Sequence, residues 1–391
     1  MQYAWGSRSA IAELQRRQVP SAGPEAELWM GAHPLGSARL RRGGIEHALI
    51  DVITQAPARE LGASVESIFG PRLPFLMKVL AAAQPLSLQA HPTAEQAAAG
   101  FADEQRRAVP VDAPTRNYKD PYHKPELICA LTTFDALCGF RRVAHTLDLF
   151  DALGVPGLNH LSDRLRVEPS SSGVARVVQT VMAFDPSAAA SLVAQTVEAC
   201  ASYRGDWQRE TAWAIRLAEQ YPGDRGVVIA LLLNLVTLEP GEAIYLGAGN
   251  LHAYLSGTGV EIMASSDNVL RGGLTPKHID VPELLKVLSY ESGPVAVLRP
   301  RALATDEETW DTPAAEFRLS RLRVHGAETT RVVSGPELLF CHEGDATLHT
   351  ADGAPDVMLR GGEAAFVPAS SERYSLRGEA SVFRAATGRV R

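Results

Sequence analysis

The chain is short of cysteine, has no long apolar run and carries no excess of basic charge. Its four cysteines, Cys129, Cys138, Cys200 and Cys341, are too few in 391 residues for a disulfide scaffold. None stands in a CxxC pair, so they read as buried thiols of a reducing compartment. No run of about 18 apolar residues occurs, and the longest, Val227 to Val236, is interrupted by Asn234. The opening MQYAWGSRSA lacks a basic segment leading into an apolar one, so the expected location is the cytoplasm and no membrane partner is expected. Lys plus Arg number 38 against 45 Asp plus Glu, a formal charge of -7. That balance would not draw the chain to a phosphate backbone, and nucleic acid is not an expected partner. No GxGxxG or GxxxxGK[ST] sits between a strand and a helix, which disfavours nucleotide-binding folds. Mild acidity still permits a pocket that concentrates a few lysines.

What is present is an ordinary globular composition, 46% hydrophobic and 21% charged, at a length that suggests two to three domains. Short apolar runs broken by turn residues fill Ala38 to Val79. Between 141 and 224 the period changes. Val174, Val177, Val178, Val181 and Met182 fall on one helical face, as do Leu192, Val193, Thr196, Val197 and Cys200. A third helix is expected from about Asp206 to the Tyr-Pro-Gly at 221–223, and a fourth over Gly226 to Val236. After Glu239 the pattern alternates at period two between Gly, Pro and Asp breaks, the signature of antiparallel strands. Two segments there look alike: Gly241-Glu-Ala through His252, and Gly362-Glu-Ala through Arg373. The expected fold is therefore mainly β with an α insert: two similar β-barrel modules plus a helical domain.

Three places offer metal-ligating groups. In LSLQAHP, Gln89 and His91 are two apart and share a face if the segment is extended. In KPELI, Glu126 opens an apolar run beside Lys124, and in GNLHAYL, His252 follows a Gly-rich corner. A Gln, two His and a Glu could thus converge on one divalent ion, although spacing alone leaves each also readable as a satisfied core or surface group. Lys78, Lys124 and Lys277 interrupt apolar or turn surroundings, and a lysine cluster would suit a phosphate. In SSDNVLRGGLTPK, Asp267, Asn268 and Arg271 lie beside two glycines in a candidate binding loop.

These residues resemble a known family. YAWGS, ELWMGAHP, LPFLMKVLAAAQPLSLQAHP, YHKPELICAL, PGEAIYLGAGNLHAYL and EIMASSDNVLRGGLTPKHID together resemble type I mannose-6-phosphate isomerases, zinc enzymes of the cupin superfamily. The resemblance implies two cupin jelly rolls: a catalytic one from 1–140 and 225–295, interrupted by a helical domain at 141–224, and a C-terminal one at 296–391 without a metal site. It implies one zinc per chain held by Gln89, His91, Glu126 and His252, with Arg271 at the reacting centre. Glu261 and Asp267 would line the cavity, and Lys78, Ser87 and Lys277 would lie near the sugar phosphate. The implied reaction interconverts mannose 6-phosphate and fructose 6-phosphate through a cis-enediol, the proton being carried by Glu261, Lys124 or a water on the metal. The expected partner is that small sugar phosphate and the expected state a monomer. Two alternatives stay open: a cupin iron dioxygenase, and a sugar-phosphate-binding cupin without turnover. His33 and His123 read as structural or supporting groups.

Overall fold

The computed structural model describes residues 1–326, 328–351 and 354–388. Helix and strand contribute almost equally, 31% and 32%, so the chain is mixed rather than mainly β as expected. The excess helix comes from segments beyond the insert, among them Leu49–Gln55, Pro57–Leu61, Ala63–Phe69, Ala94–Arg106 and Val281–Val287.

The strand His252–Ala264 is the spine of a nine-stranded antiparallel sheet. Its far half lies between Phe75–Ala82 and Glu126–Ala130, with Glu261 opposite Lys78 and Met263 opposite Glu126. Its near half lies between Leu88–Ala90 and Phe134–Phe140, with His252 opposite both Gln89 and Cys138. A register shift between Tyr254 and Ser256 separates the halves, and Gly257 follows at φ +120, where a Cβ would stand 2.7 Å from the Thr133 carbonyl oxygen. Only glycine fits that backbone approach. One strand therefore passes from one layer to the other. Between the layers lie Leu80, Ile128, Phe134, Ala136, Val236, Ile244 and Leu246.

Six helices separate Phe134–Phe140 from the next strand: Val143–Leu153, Pro156–Val167, Ser171–Ala183, Pro186–Ser202, Gln208–Gln220 and the short Gly226–Ala230. The two apolar stripes of the sequence are the buried faces of the third and fourth of these. Asp185 caps the fourth by accepting from the N–H groups of Ser187 and Ala188, with Pro186 at its first position. These helices pack in one cluster with Leu88, Leu137, Phe140, Leu251 and Leu270, so they brace the strands that carry Gln89 and Arg271. The fourth expected helix is shorter than its apolar run: Gly226–Ala230 is helical, but Leu233–Leu238 is a strand paired with Phe134–Phe140. A fully buried apolar run has no amphipathic period to report, and the sheet edge claimed it. Among the described residues no single helix is long and apolar enough to cross a membrane; the one consecutive pair that passes on length and composition, Ser171–Ala183 with Pro186–Ser202, is bent by 112°.

The C-terminal eight-stranded sheet repeats the plan. Gly241 and Gly362 both turn at positive φ, 90° and 85°, ahead of Ala243–Leu246 and Ala364–Val367. His252–Ala264 and Arg373–Ala386 follow, and Gly378 occupies the place of Gly257. Arg373 heads its strand as His252 does, yet it is exposed while Tyr374 is buried. The cause is a shift of phase: the irregularity that re-aims the first spine strand at Tyr254 falls instead on the partner strand, between Cys341 and Glu343.

Candidate functional site

Each site residue stands where a strand begins or ends. His91 directly follows Leu88–Ala90, Glu126 opens Glu126–Ala130, His252 opens the spine, and Arg271 lies opposite Gln89 on Leu270–Gly273. Sheet register alone thus brings together segments far apart in the chain. One potential ligand atom each from His91, Glu126 and His252 lie within 4.8 Å of one another, all three residues being buried.

The hydrogen bonds fix the chemistry of the two imidazoles. His91 Nδ1 donates to the Asn268 carbonyl oxygen at 2.7 Å, and His252 Nδ1 donates to the Asn250 carbonyl oxygen at 3.0 Å. A carbonyl only accepts, so in the neutral rings each Nε2 is a bare lone pair. Both face the same carboxylate: His91 Nε2 lies 3.4 Å from Glu126 Oε1, and His252 Nε2 lies 3.4 Å from Glu126 Oε2. Burial, opposed only in part by Glu126, pulls the His91 pKa down to about 4, so no proton occupies that gap at neutral pH. His91 Nε2 has no hydrogen-bond partner. The bare His91 lone pair aimed at a carboxylate repels it unless a cation lies between them. Two imidazole nitrogens and a carboxylate, with Gln89 adjoining His252 by register, are a donor set that fits zinc. The half-buried Gln89 amide meanwhile donates to Ser87 Oγ at 3.4 Å.

Around these potential donors lies a buried set of alternating charges. Lys124 Nζ is 3.0 Å from Glu126 Oε1. Lys78 Nζ is 3.1 Å from Glu261 Oε2 and 3.3 Å from Glu27 Oε1, over the Trp29 ring. Burial opposes the ionised form of Glu126, but Lys124 and His91 outweigh it and hold the carboxyl well below the usual range. Glu261 goes the other way: burial raises its pKa, Glu126 and Glu27 add to the rise, and Lys78 opposes it. Burial works against the charge of Lys78, yet Glu261 and Glu27 keep its pKa above the ordinary lysine value. The Tyr254 phenol is pushed well above its usual value by burial and by the Glu261 and Glu126 carboxylates.

A second group of charges differs in having no partners. Among the described residues no carboxylate lies within hydrogen-bonding or ion-pairing distance of the side chains of Arg271, Lys277 and Lys119. Burial lowers the pKa of Arg271, and burial followed by the repulsion of Arg271 and Lys119 lowers that of Lys277. Asp267 lies at the border of the two groups, its carboxylate 3.4 Å from His33 Nε2, and His123 reaches across to Glu316 at 2.6 Å. Lys78 therefore stands among carboxylates, whereas Lys277 stands among unpaired cations. Glu27 and Lys119 carry no local signal as site residues. Tyr254 could have been found from its position two residues beyond His252 on the same strand; Glu27 joins Lys78 only through the strand pairing of Glu27–Met30 with Phe75–Ala82.

Known proteins resemble this chain along nearly its whole length. A family model described as "Phosphomannose isomerase type I, catalytic domain" matches residues 1–143. The chain is 40% identical over 386 residues to the mannose-6-phosphate isomerase of Escherichia coli (strain K12), covering 98% of this chain and 96% of that protein. It is 33% identical over 408 residues to that of Homo sapiens, covering 96% and 93%. Among solved structures, mannose 6-phosphate isomerase from Salmonella typhimurium bound to substrate (fructose 6-phosphate) and zinc superposes with a TM-score of 0.90 at 37% identity, covering 100% of this chain and 97% of that one.

Proposed function

The chain belongs to the mannose-6-phosphate isomerase family, and we propose that the pocket of His91, Glu126 and His252 is where it interconverts mannose 6-phosphate and fructose 6-phosphate with zinc bound. The observation that carries this reading is the convergence of His91 Nε2 and His252 Nε2 on the two oxygens of Glu126, each at 3.4 Å. Gln89 completes the ligand set with its amide oxygen. Zinc, when bound, supplies a fixed positive charge that polarises the sugar O1 and O2.

The aldose and the ketose differ by a proton that moves between C2 and C1 through an enediol. Glu261 takes that proton from one carbon and returns it to the other. Burial makes it a stronger base than an ordinary glutamate, and the Lys78 ammonium keeps it ionised until the proton arrives. Lys124, 3.0 Å from Glu126, secures the ligand carboxylate and keeps a second ammonium beside the reacting carbons. Arg271 aims an unpaired guanidinium at the charge that develops on the enediolate oxygens. Asp267 and Lys78 line the sugar, while Ser87 and Lys277 hold its phosphate.

We read the two antiparallel sheets as cupin jelly rolls, the catalytic one from 1–140 and 225–295, with a helical domain at 141–224. The C-terminal jelly roll at 296–391 has no metal site in this reading. Register supports it: Arg384 takes the place of Met263, so Leu339 stands where Glu126 does, and the pair Leu322–Val382 replaces Lys78–Glu261. Four buried free cysteines suit a reducing cytoplasm, and a net charge of -7 argues against nucleic acid; the working state is a monomer. The test is a coupled isomerisation assay run in D2O with the zinc-loaded chain. Turnover with solvent deuterium appearing at C2 of mannose 6-phosphate supports an enediol and an exchanging base. Binding without turnover would leave a sugar-phosphate sensor instead.

A further inference from the structure

Of the cations around the pocket, Lys78 and Lys124 are each within 3.3 Å of a carboxylate, whereas Arg271, Lys277 and Lys119 are not partnered among the described residues. Three unpaired positive heads close enough to depress the pKa of one of them form an arrangement that an anion relieves. Arg271 lies on the strand Leu270–Gly273, whereas Lys277 and Lys119 lie in neither helix nor strand, Lys119 on the segment between Ala94–Arg106 and Glu126–Ala130. A lysine on such a segment would ordinarily be mobile, and this one is not free to be.

Four successive N–H groups of that segment are bound to buried side chains. Glu104 accepts from Asn117 and Tyr118 at 3.0 and 2.8 Å, and Asn268 Oδ1 accepts from Lys119 and Asp120 at 2.7 and 3.3 Å. Asn268 Nδ2 donates back to the carbonyl oxygens of Asp120 and Tyr122, at 2.7 and 2.8 Å. Asn268 is 0% exposed, so the amide satisfies the loop in place of water. Its own main-chain oxygen accepts from His91 Nδ1 at 2.7 Å, and the next N–H on its N-terminal side, that of Asp267, is held by Asp120 Oδ2 at 2.8 Å. One residue thus ties the Lys119 loop by its side chain and the metal-ligating imidazole by its backbone.

We propose that Lys119 binds the phosphate end of the sugar phosphate together with Lys277, and that Asn268 is the positioning residue that fixes Lys119 relative to His91. The proposal rests on the isomerase reading in one respect, the identity of the anion. Lys119 makes its contact equally in the ground and transition states, so it sets substrate affinity and not the chemical step.

The test is a double-mutant cycle on the full-length, zinc-loaded chain, with KM for mannose 6-phosphate and the competitive Ki of inorganic phosphate as readouts. Lys119→Ala raises both on the order of tenfold, the loss of one charge-assisted hydrogen bond, with kcat within a factor of about two. Asn268→Ala raises KM and Ki similarly and keeps its zinc, because the carbonyl that holds His91 is main chain. The double variant is no worse than the poorer single one, since Asn268 acts through Lys119. Where Asn268→Ala does not fold, Asn268→Asp replaces it in the cycle, keeping the acceptor for Lys119 and losing the donor to Asp120 and Tyr122. Unchanged KM and Ki in Lys119→Ala, with the parent chain turning over, overturn the phosphate contact. Multiplying effects in the double variant overturn the positioning role. A parent chain that binds phosphate but never isomerises overturns the isomerase reading and leaves the Lys119 contact to be judged on Ki alone.

Discussion

Replacing Lys78 by Met separates two roles that a lysine could play in this pocket. Lys78 Nζ stands 3.1 Å from Glu261 and 3.3 Å from Glu27, with its side chain 8% exposed. At 3.1 Å and an effective dielectric of about 20, one such pair is worth about 5 kcal/mol. Glu27 competes for the same ammonium, so roughly half of that, ~2.5 kcal/mol, favours the ionised form of Glu261. The methionine keeps the apolar stem and deletes the charge. Burial, Glu126 and Glu27 already raise the Glu261 pKa, and without Lys78 nothing of comparable strength opposes them. The Glu261 pKa then rises further, so less of the base is ionised at neutral pH, and ~2.5 kcal/mol allows kcat/KM to fall there by up to about 10²-fold. The sign makes the loss reversible: activity returns as the pH is raised, because deprotonation restores the base. The assay is the pH profile of kcat/KM for parent and variant, with zinc content measured alongside. If the loss is the same at every pH and lies in KM, Lys78 serves the phosphate and the reasoning from its carboxylate partners is wrong.

Elemental analysis should find one zinc per chain, and a chelator should abolish turnover with little change in the far-ultraviolet circular dichroism, because the sheets and helices have their own apolar clusters; two tightly held ions would contradict a metal-free C-terminal sheet. His252→Ala and Glu126→Ala should lose zinc and activity together, and either variant retaining both would remove that residue from the ligand set. Arg271→Ala should lower kcat by on the order of 10²- to 10³-fold with zinc retained, as expected for loss of one charge-stabilising donor, and Arg271→Lys should recover little because an ammonium lacks the planar fork; a near-normal kcat would demote Arg271 to a loop residue. Gly257→Ala should cost about 1–3 kcal/mol in thermal denaturation, since its φ of +120 strains any side chain and a Cβ would meet the Thr133 carbonyl oxygen, whereas Gly293→Ala, with open space around it, should be nearly neutral.

Residue types and their local setting supplied the candidate metal donors and their order along the chain. Gln89 and His91 ahead of a proline, Glu126 after another and His252 after a Gly-rich corner are local patterns, but spacing alone left each also readable as a satisfied core or surface group. Helical periodicity likewise marked the buried faces of Ser171–Ala183 and Pro186–Ser202, because amphipathic burial writes a period into the residues. Tertiary structure alone decided what lies opposite what. The strand Leu233–Leu238 took half of an apolar run that had no period to read, Arg373 turned outward because an irregularity moved to the partner strand, and Lys78 met Glu27 and Glu261 across strand pairs 51 and 183 residues away in sequence. Which lysines are neutralised and which stand unpaired depends on such pairings. Charge partners are set by distance in space, and local sequence carries no record of it.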